Sequence, residues 1–150
     1  VDSDFFINEN FSAFISLTGM RAEPYENFSF INIRSDSSFL TSTNLSILGK
    51  DIFNKKDRFR LDYLVPLSIE KGTADLQFIS GRDYFGNSTV GTVKVNLAPA
   101  HRERVLSAIY SSPVNDFSEF GLKLFLVENL NNIKAESQAN LTFYLRLKIK

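Results

Sequence analysis

Apolar and polar residues alternate along most of this chain with a period of two. The stretch RFRLDYLVPLSIEKG, from Arg58 to Gly72, places Phe59, Leu61, Tyr63, Val65, Leu67 and Ile69 at every second position, with Arg58, Arg60, Asp62 and Ser68 between them. Successive side chains of a strand point to opposite faces, so this segment has one apolar face and one polar face. The last segment repeats the pattern, with Leu141, Phe143, Leu145, Leu147 and Ile149 set against Thr142, Tyr144, Arg146 and Lys148. No stretch holds a helical period beyond a turn or two, which predicts an all-β chain.

The strands predicted from this pattern begin at Asn10 to Thr18, with Phe11, Ala13, Ile15 and Leu17 on one face. Tyr25 to Arg34 follows with a switch of face that suggests a bulge, then Ser38 to Leu48. Gly49-Lys50-Asp51 and Asn54-Lys55-Lys56-Asp57 mark a turn before the strand Arg58 to Ile69. Glu70-Lys71-Gly72-Thr73 reads as a hairpin loop leading to Ala74, Leu76 and Phe78. Arg82-Asp83-Tyr84-Phe85-Gly86-Asn87 is the next turn signal, with Gly86-Asn87 as the positive-φ pair. Val90 to Leu97, Glu103 to Val114, Phe120 to Val127 and Ala139 to Ile149 complete eight or nine strands. Short turns between them imply antiparallel hairpins, and strands of eleven or twelve residues favour an up-and-down β-barrel of about eight strands over a two-sheet β-sandwich.

Length and charge narrow this further. A chain of 150 residues fits a single domain. Seventeen basic residues balance seventeen acidic ones, which removes the electrostatic footprint expected of a nucleic-acid binder. Cysteine is absent, so neither a disulfide nor a thiolate metal site contributes. No apolar run is long enough for a transmembrane helix. Val1-Asp2-Ser3-Asp4 lacks the basic start of a signal peptide, so an exported protein would be represented by its mature or an excised portion. Fifteen Phe and five Tyr accompany no Trp.

Candidate chemistry is sparse. The single histidine, His101, sits in the charged loop PAHRER, where no nucleophile-elbow pattern accompanies it. Asp51, Asp57, Asp83 and Asn87 are oxygen donors, but they do not interleave as a tight calcium loop does and read better as turn residues. Asn10, Asn27, Asn44, Asn87 and Asn140 begin Asn-X-Ser/Thr sequons, most of them in or beside predicted strands, where an Asn- and Ser-rich composition produces the pattern by chance. A Gly-rich phosphate loop is missing. No catalytic residue, metal ligand or cofactor is assigned. Tyr84 and Phe85, with Tyr144, are the side chains best suited to binding, for a carbohydrate or a protein surface.

Several short elements in order and spacing form a family likeness. They are Asp57-Arg58, Pro66, Gly72, the turn Arg82-Asp83-Tyr84-Phe85-Gly86-Asn87, the segment Leu97-Ala98-Pro99-Ala100-His101-Arg102-Glu103, and Pro113-Val114. In these the chain resembles the C-terminal β-domain of bacterial autotransporter-like subtilisin (S8) serine peptidases, over about residues 25 to 150. The resemblance departs from the family in two respects: few glycines, and an ending Lys148-Ile149-Lys150 in place of an aromatic residue. It implies a non-catalytic partner of an upstream protease domain, acting at the outer membrane or in secretion. On that reading Phe59, Leu61, Tyr63, Val65, Leu67, Ile69, Leu141, Phe143, Leu145 and Leu147 face lipid. In a soluble sandwich the same side chains face a core.

Overall fold

The computed structural model describes residues 1–22 and 31–147, with the side chains of 31–37 left aside. Eight strands follow in chain order: β1 Asp2–Phe6, β2 Phe11–Arg21, β3 Ile31–Lys50, β4 Arg58–Arg82, β5 Ser88–Asn96, β6 Arg104–Asn115, β7 Ser118–Glu128 and β8 Ser137–Leu147. A 3-10 turn, Leu130–Asn132, is the helical piece among the described residues. The strands join in one sheet ordered β1-β2-β3-β4-β6-β7-β8, with β5 paired to β4 off that path. The all-β antiparallel expectation and the strand count are therefore met. The sheet is open, since no pairing joins β1 to β8 among the described residues, and this corrects closure into a barrel toward the open alternative. The physical reason lies in β4, which gives Arg58–Leu64 to β6 and Thr73–Arg82 to β5, so the ladder branches where a barrel needs each strand to keep two neighbours along its length.

That branching also overturns the hairpin expected at Glu70-Lys71-Gly72-Thr73, because β4 runs unbroken for 25 residues through it. Gly72 serves close approach instead of a turn. A Cβ there would lie 3.0 Å from Ser38 Oγ and 3.2 Å from Ile69 Cγ2, while the Gly72 carbonyl accepts the Leu97 N–H at 3.0 Å. Likewise, the strand predicted at Ser38 to Leu48 belongs to a longer one, β3, which starts at Ile31. Most of the strand predicted at Tyr25 to Arg34, and the end of the last one beyond Leu147, lie outside the described residues. The short β1, DSDFF, carries too few alternations to be read from sequence and is held by its register with β2 from Asp2 opposite Ser16 to Phe6 opposite Ser12.

The chain divides into two compact units. The first comprises Val1–Thr18, Ser42–Pro66 and Ala100–Lys150; the second comprises Gly19–Thr41 and Leu67–Pro99. Within the first, β4, β6, β7 and β8 form a regular antiparallel run, and its buried hydrophobic residues are Val105 and Val127, directly paired across β6 and β7. Within the second, β4 and β5 form a hairpin around Ala74, with a bulge between Ile79 and Gly81. A 150-residue domain ordinarily removes roughly two-thirds of its unfolded surface from water. Here only Ala74, Val105 and Val127 are buried hydrophobics among the described residues.

Candidate functional site

Cross-strand partners in an antiparallel ladder share a face, so the registers assign the side chains of Arg58–Leu64 on β4 and their partners on β6, β7 and β8 to one side or the other. Tyr63, Leu106, Leu126 and Ala139 form one row across the four strands; Leu61, Ala108, Leu124 and Leu141 form the next; Phe59, Tyr110, Leu122 and Phe143 the third. Ser112, Phe120 and Leu145 extend it on β6 to β8, with Ser118 and Leu147 beyond. At the other end Arg104 and Glu128 close the band with an exposed ion pair at 3.4 Å. The result is a continuous apolar face assembled from segments far apart in sequence.

This face is not covered. Phe59, Leu61 and Tyr63 are half-buried, whereas Leu141, Phe143, Leu145 and Leu147 keep between 55% and 66% of their surface exposed. Full transfer of one such side chain out of water is worth about 1.5–3 kcal/mol. Contiguous exposed apolar patches of this kind are the surfaces that in other proteins mark interaction sites. Of the other expected members, Val65 is half-buried just past the β4·β6 register, while Leu67 and Ile69 fall in the second unit, Leu67 exposed and Ile69 half-buried. Sequence reading placed strands at all four segments but assigned the apolar faces of β4 and β8 alone, leaving out Leu106, Leu122, Leu124 and Leu126. The signal for these was the alternation within VLSAIYS and FGLKLFLV, whose phase only the register connects to the neighbouring strands.

The opposite face is mixed: Leu64, Val105, Val127 and Ile109 share it with polar side chains, among which Asp62 is extensively hydrogen-bonded. Asp62 accepts hydrogen bonds from Ser46 Oγ at 2.5 Å and Ser107 Oγ at 3.2 Å, and from Arg60 Nε at 2.8 Å. Lys123, Gln138, Asn140 and Thr142 continue this side across β7 and β8 around Phe125. Gly121, also on this side, lies under Tyr144, which occupies the space a Cβ would need; the aromatic ring of the edge strand covers the glycine. Arg58, Arg60 and Asp62 thus stand on the face opposite the apolar band, as the alternation predicts.

A tight turn organises one end of this unit. Asp57 is fully buried and its carboxylate accepts three backbone N–H groups, from Ile52 at 2.7 Å, Phe53 at 2.8 Å and Asn54 at 3.0 Å, together with the Tyr110 hydroxyl at 3.1 Å. Burial pushes this carboxyl up, but the bonds from Asn54, Phe53, Ile52 and Tyr110 outweigh it and hold the carboxyl below its ordinary value. Asp51, in the left-handed region at φ 54°, accepts the Lys56 N–H. The β1–β2 turn is tied to the same point: Asn10 Nδ2 donates to the Asp51 carbonyl at 3.3 Å, and the Lys50 N–H donates to the Asn10 carbonyl at 2.9 Å. Beside these turns, mostly on the face opposite the apolar band, lies a cavity of about 510 Å³ lined by Phe6, Leu48, Lys50, Arg58, Arg60 and Ile109 among others.

In the second unit, Tyr84 and Phe85 occupy the tip of the β4–β5 hairpin, 98% and 86% exposed, with ring centroids 5.6 Å apart in an edge-to-face pair. The tip is rigid because Asp83 accepts the Asn87 backbone N–H and side-chain Nδ2, both at 2.8 Å, while Gly86 takes φ 85°. Of the Gly86-Asn87 pair expected at positive φ, only the glycine adopts it. The bonds from Asn87, chiefly its side-chain amide, hold the Asp83 carboxyl below its usual range. Substituting both Tyr84→Ser and Phe85→Ser is expected to leave stability within about 0.5 kcal/mol, because neither ring is buried; thermal unfolding checks this.

His101 is half-buried in the loop before β6. Among the described residues no three His, Cys, Asp or Glu side chains are grouped to hold a metal. Asp57 and Asp83 act as turn clamps, in keeping with the turn reading of both. Of the sequons, Asn10 and Asn87 lie in turns and Asn44 and Asn140 in strands, with Asn27 outside the described residues. The chain matches no family model, no curated protein and no solved structure. The likeness to subtilisin C-terminal domains accordingly rests on the short elements quoted above.

Proposed function

We propose that this chain is a non-catalytic, membrane-seated β-domain that anchors an exported subtilisin-like peptidase at the bacterial outer membrane or assists its passage. The observation that carries the reading is the uncovered apolar band across β4, β6, β7 and β8. A membrane strand needs about nine to eleven residues, with apolar side chains outward and polar ones inward. β7 and β8 each have 11 residues and β6 has 12. The hydrogen-bonded network around Asp62 lies on the reverse side, and because open sheet edges leave backbone groups unpaired in hydrocarbon, this reading requires β1 and β8 to be paired by further strands. The upstream protease and the envelope location come from the family likeness alone, and both belong to this proposal.

Expression without a leader, followed by size-exclusion chromatography and circular dichroism, separates the outcomes. The expected result is aggregation in plain buffer and a β-rich, heat-resistant species after refolding into detergent or short-chain lipid vesicles. A monodisperse β-rich monomer in plain buffer overturns the membrane role.

The second reading is a soluble binding module, favoured by the open sheet and by the rigid, exposed Tyr84–Phe85 tip. Its partner would be a carbohydrate or a protein surface. Under it, the double serine variant loses binding on a glycan array or in pull-down while its melting curve is unchanged.

A further inference from the structure

The cavity beside the Asp57 turn is a built site. The β1–β2 turn on one side and the end of β3 and start of β4 on the other line it, and the Asn10–Asp51 and Lys50–Asn10 hydrogen bonds tie the two sides together. Lys50 is the last residue of β3 and Arg58 the first of β4; the clamped turn between them fixes where both cations emerge. Both line the cavity.

Charge and apolarity are unevenly distributed around it. Arg60 is neutralised by Asp62 at 2.8 Å, whereas Lys50 and Arg58 have no ion-pair partner among the described residues. Glu9 is the carboxylate in the lining, on the β1–β2 turn, and leaves an excess of positive charge. Phe6, Leu48 and Ile109 supply apolar surface. A volume of about 510 Å³ falls within the range of small-molecule sites, which pair apolar walls with a few placed polar groups. An arginine guanidinium offers forked donors that match a carboxylate or phosphate, and lysine adds a point charge.

We infer that this cavity binds an anionic amphiphile, its carboxylate or phosphate head held by Lys50 and Arg58 and its apolar chain lying against Leu48, Ile109 and Phe6. Arg58, Arg60, Ile109 and Ser111 place most of the site on the face opposite the apolar band, with Phe59 of the band also in the lining.

Isothermal titration of the full chain tests it, with decanoate, decyl phosphate, decanol and inorganic phosphate as probes at concentrations below micelle formation. Saturable binding is expected for decanoate, decyl phosphate or both; which of the two binds more tightly identifies the head group. Decanol and inorganic phosphate are each expected to bind at least tenfold more weakly, since each lacks half of the recognition. The double variant K50Q/R58Q replaces two exposed side chains and should keep the parent circular dichroism spectrum while losing tenfold or more in affinity. The same variant subtracts any partition into detergent or lipid used to hold the chain in solution. K123Q removes a cation from the same face outside the cavity and should bind as the parent does. Equal binding of inorganic phosphate and decyl phosphate, or unchanged affinity in K50Q/R58Q, overturns the proposal, as does the absence of saturable binding by either anionic amphiphile.

Discussion

Leu122→Arg is expected to prevent productive insertion of this chain into lipid vesicles. Leu122 stands in the third row of the apolar band, between Tyr110 on β6 and Phe143 on β8, with apolar rows on either side along the strands. A guanidinium on the lipid face of a membrane strand costs about 2–4 kcal/mol near the bilayer midplane and much less near its edges. The neighbouring residue Lys123 points to the other side, so a charge change there, Lys123→Glu, should be tolerated. Phe59→Arg, in the same row as Leu122 but on β4, is expected to behave as Leu122→Arg does. The measurement is the folded fraction in vesicles of increasing thickness as a function of urea. Parent-like folding of Leu122→Arg in lipid would mean that the band faces something other than hydrocarbon.

Asp57→Ala is expected to lower the melting temperature by roughly 5–10 °C, placing it among the more damaging single changes in this chain. Its carboxylate satisfies three backbone N–H groups of the β3–β4 turn and the Tyr110 hydroxyl, and all four lose their acceptor together. Phe53, whose ring meets Tyr110 edge-to-face at 5.8 Å, is held by the same turn and should loosen with it. The pH dependence follows from the depressed carboxyl. Because its folded-state pKa lies below the unfolded value of about 3.9, the stabilisation is fully present above that value and is lost as pH falls through the folded-state pKa. Asp57→Asn should therefore flatten the acid limb of the stability profile below about pH 4 while leaving the neutral limb parallel to the parent. An acid limb unchanged in Asp57→Asn would show that other carboxylates govern it.

Both substitutions act on features that differ in how visible they were beforehand. Alternation in Arg58 to Ile69 and in the closing segment marks two amphipathic strands without any structure, because a period of two has only one extended geometry that satisfies it. Turn chemistry was equally direct at Asp83 to Asn87, where an Asx carboxylate and a glycine at positive φ act within a few residues of each other. Asp57 was visible as a turn residue, but its bond to Tyr110 spans 53 positions and belongs to no local pattern.

The limits of local reading are clearest at Gly72 and at the cavity. A glycine flanked by Lys71 and Thr73 signals a hairpin when only its own conformational freedom is considered. Its role as a point of close approach to Ser38 depends on a strand more than thirty residues away. Lys50 and Arg58 carry no motif, and only the stitched turns bring them to one cavity.

By itself, then, the sequence determined the strand class, the amphipathic character of each long strand and the Asp83 turn, since all of these depend on residues near one another in the chain. Tertiary structure decided the rest: the branching of β4 between β5 and β6, the open ladder, the union of four apolar stripes into one uncovered band, and the placing of two cations beside an apolar cavity. The physical reason is that a strand's face is a local property, whereas its neighbour and register are set by hydrogen bonds between segments tens of residues apart, to which a period of two is blind.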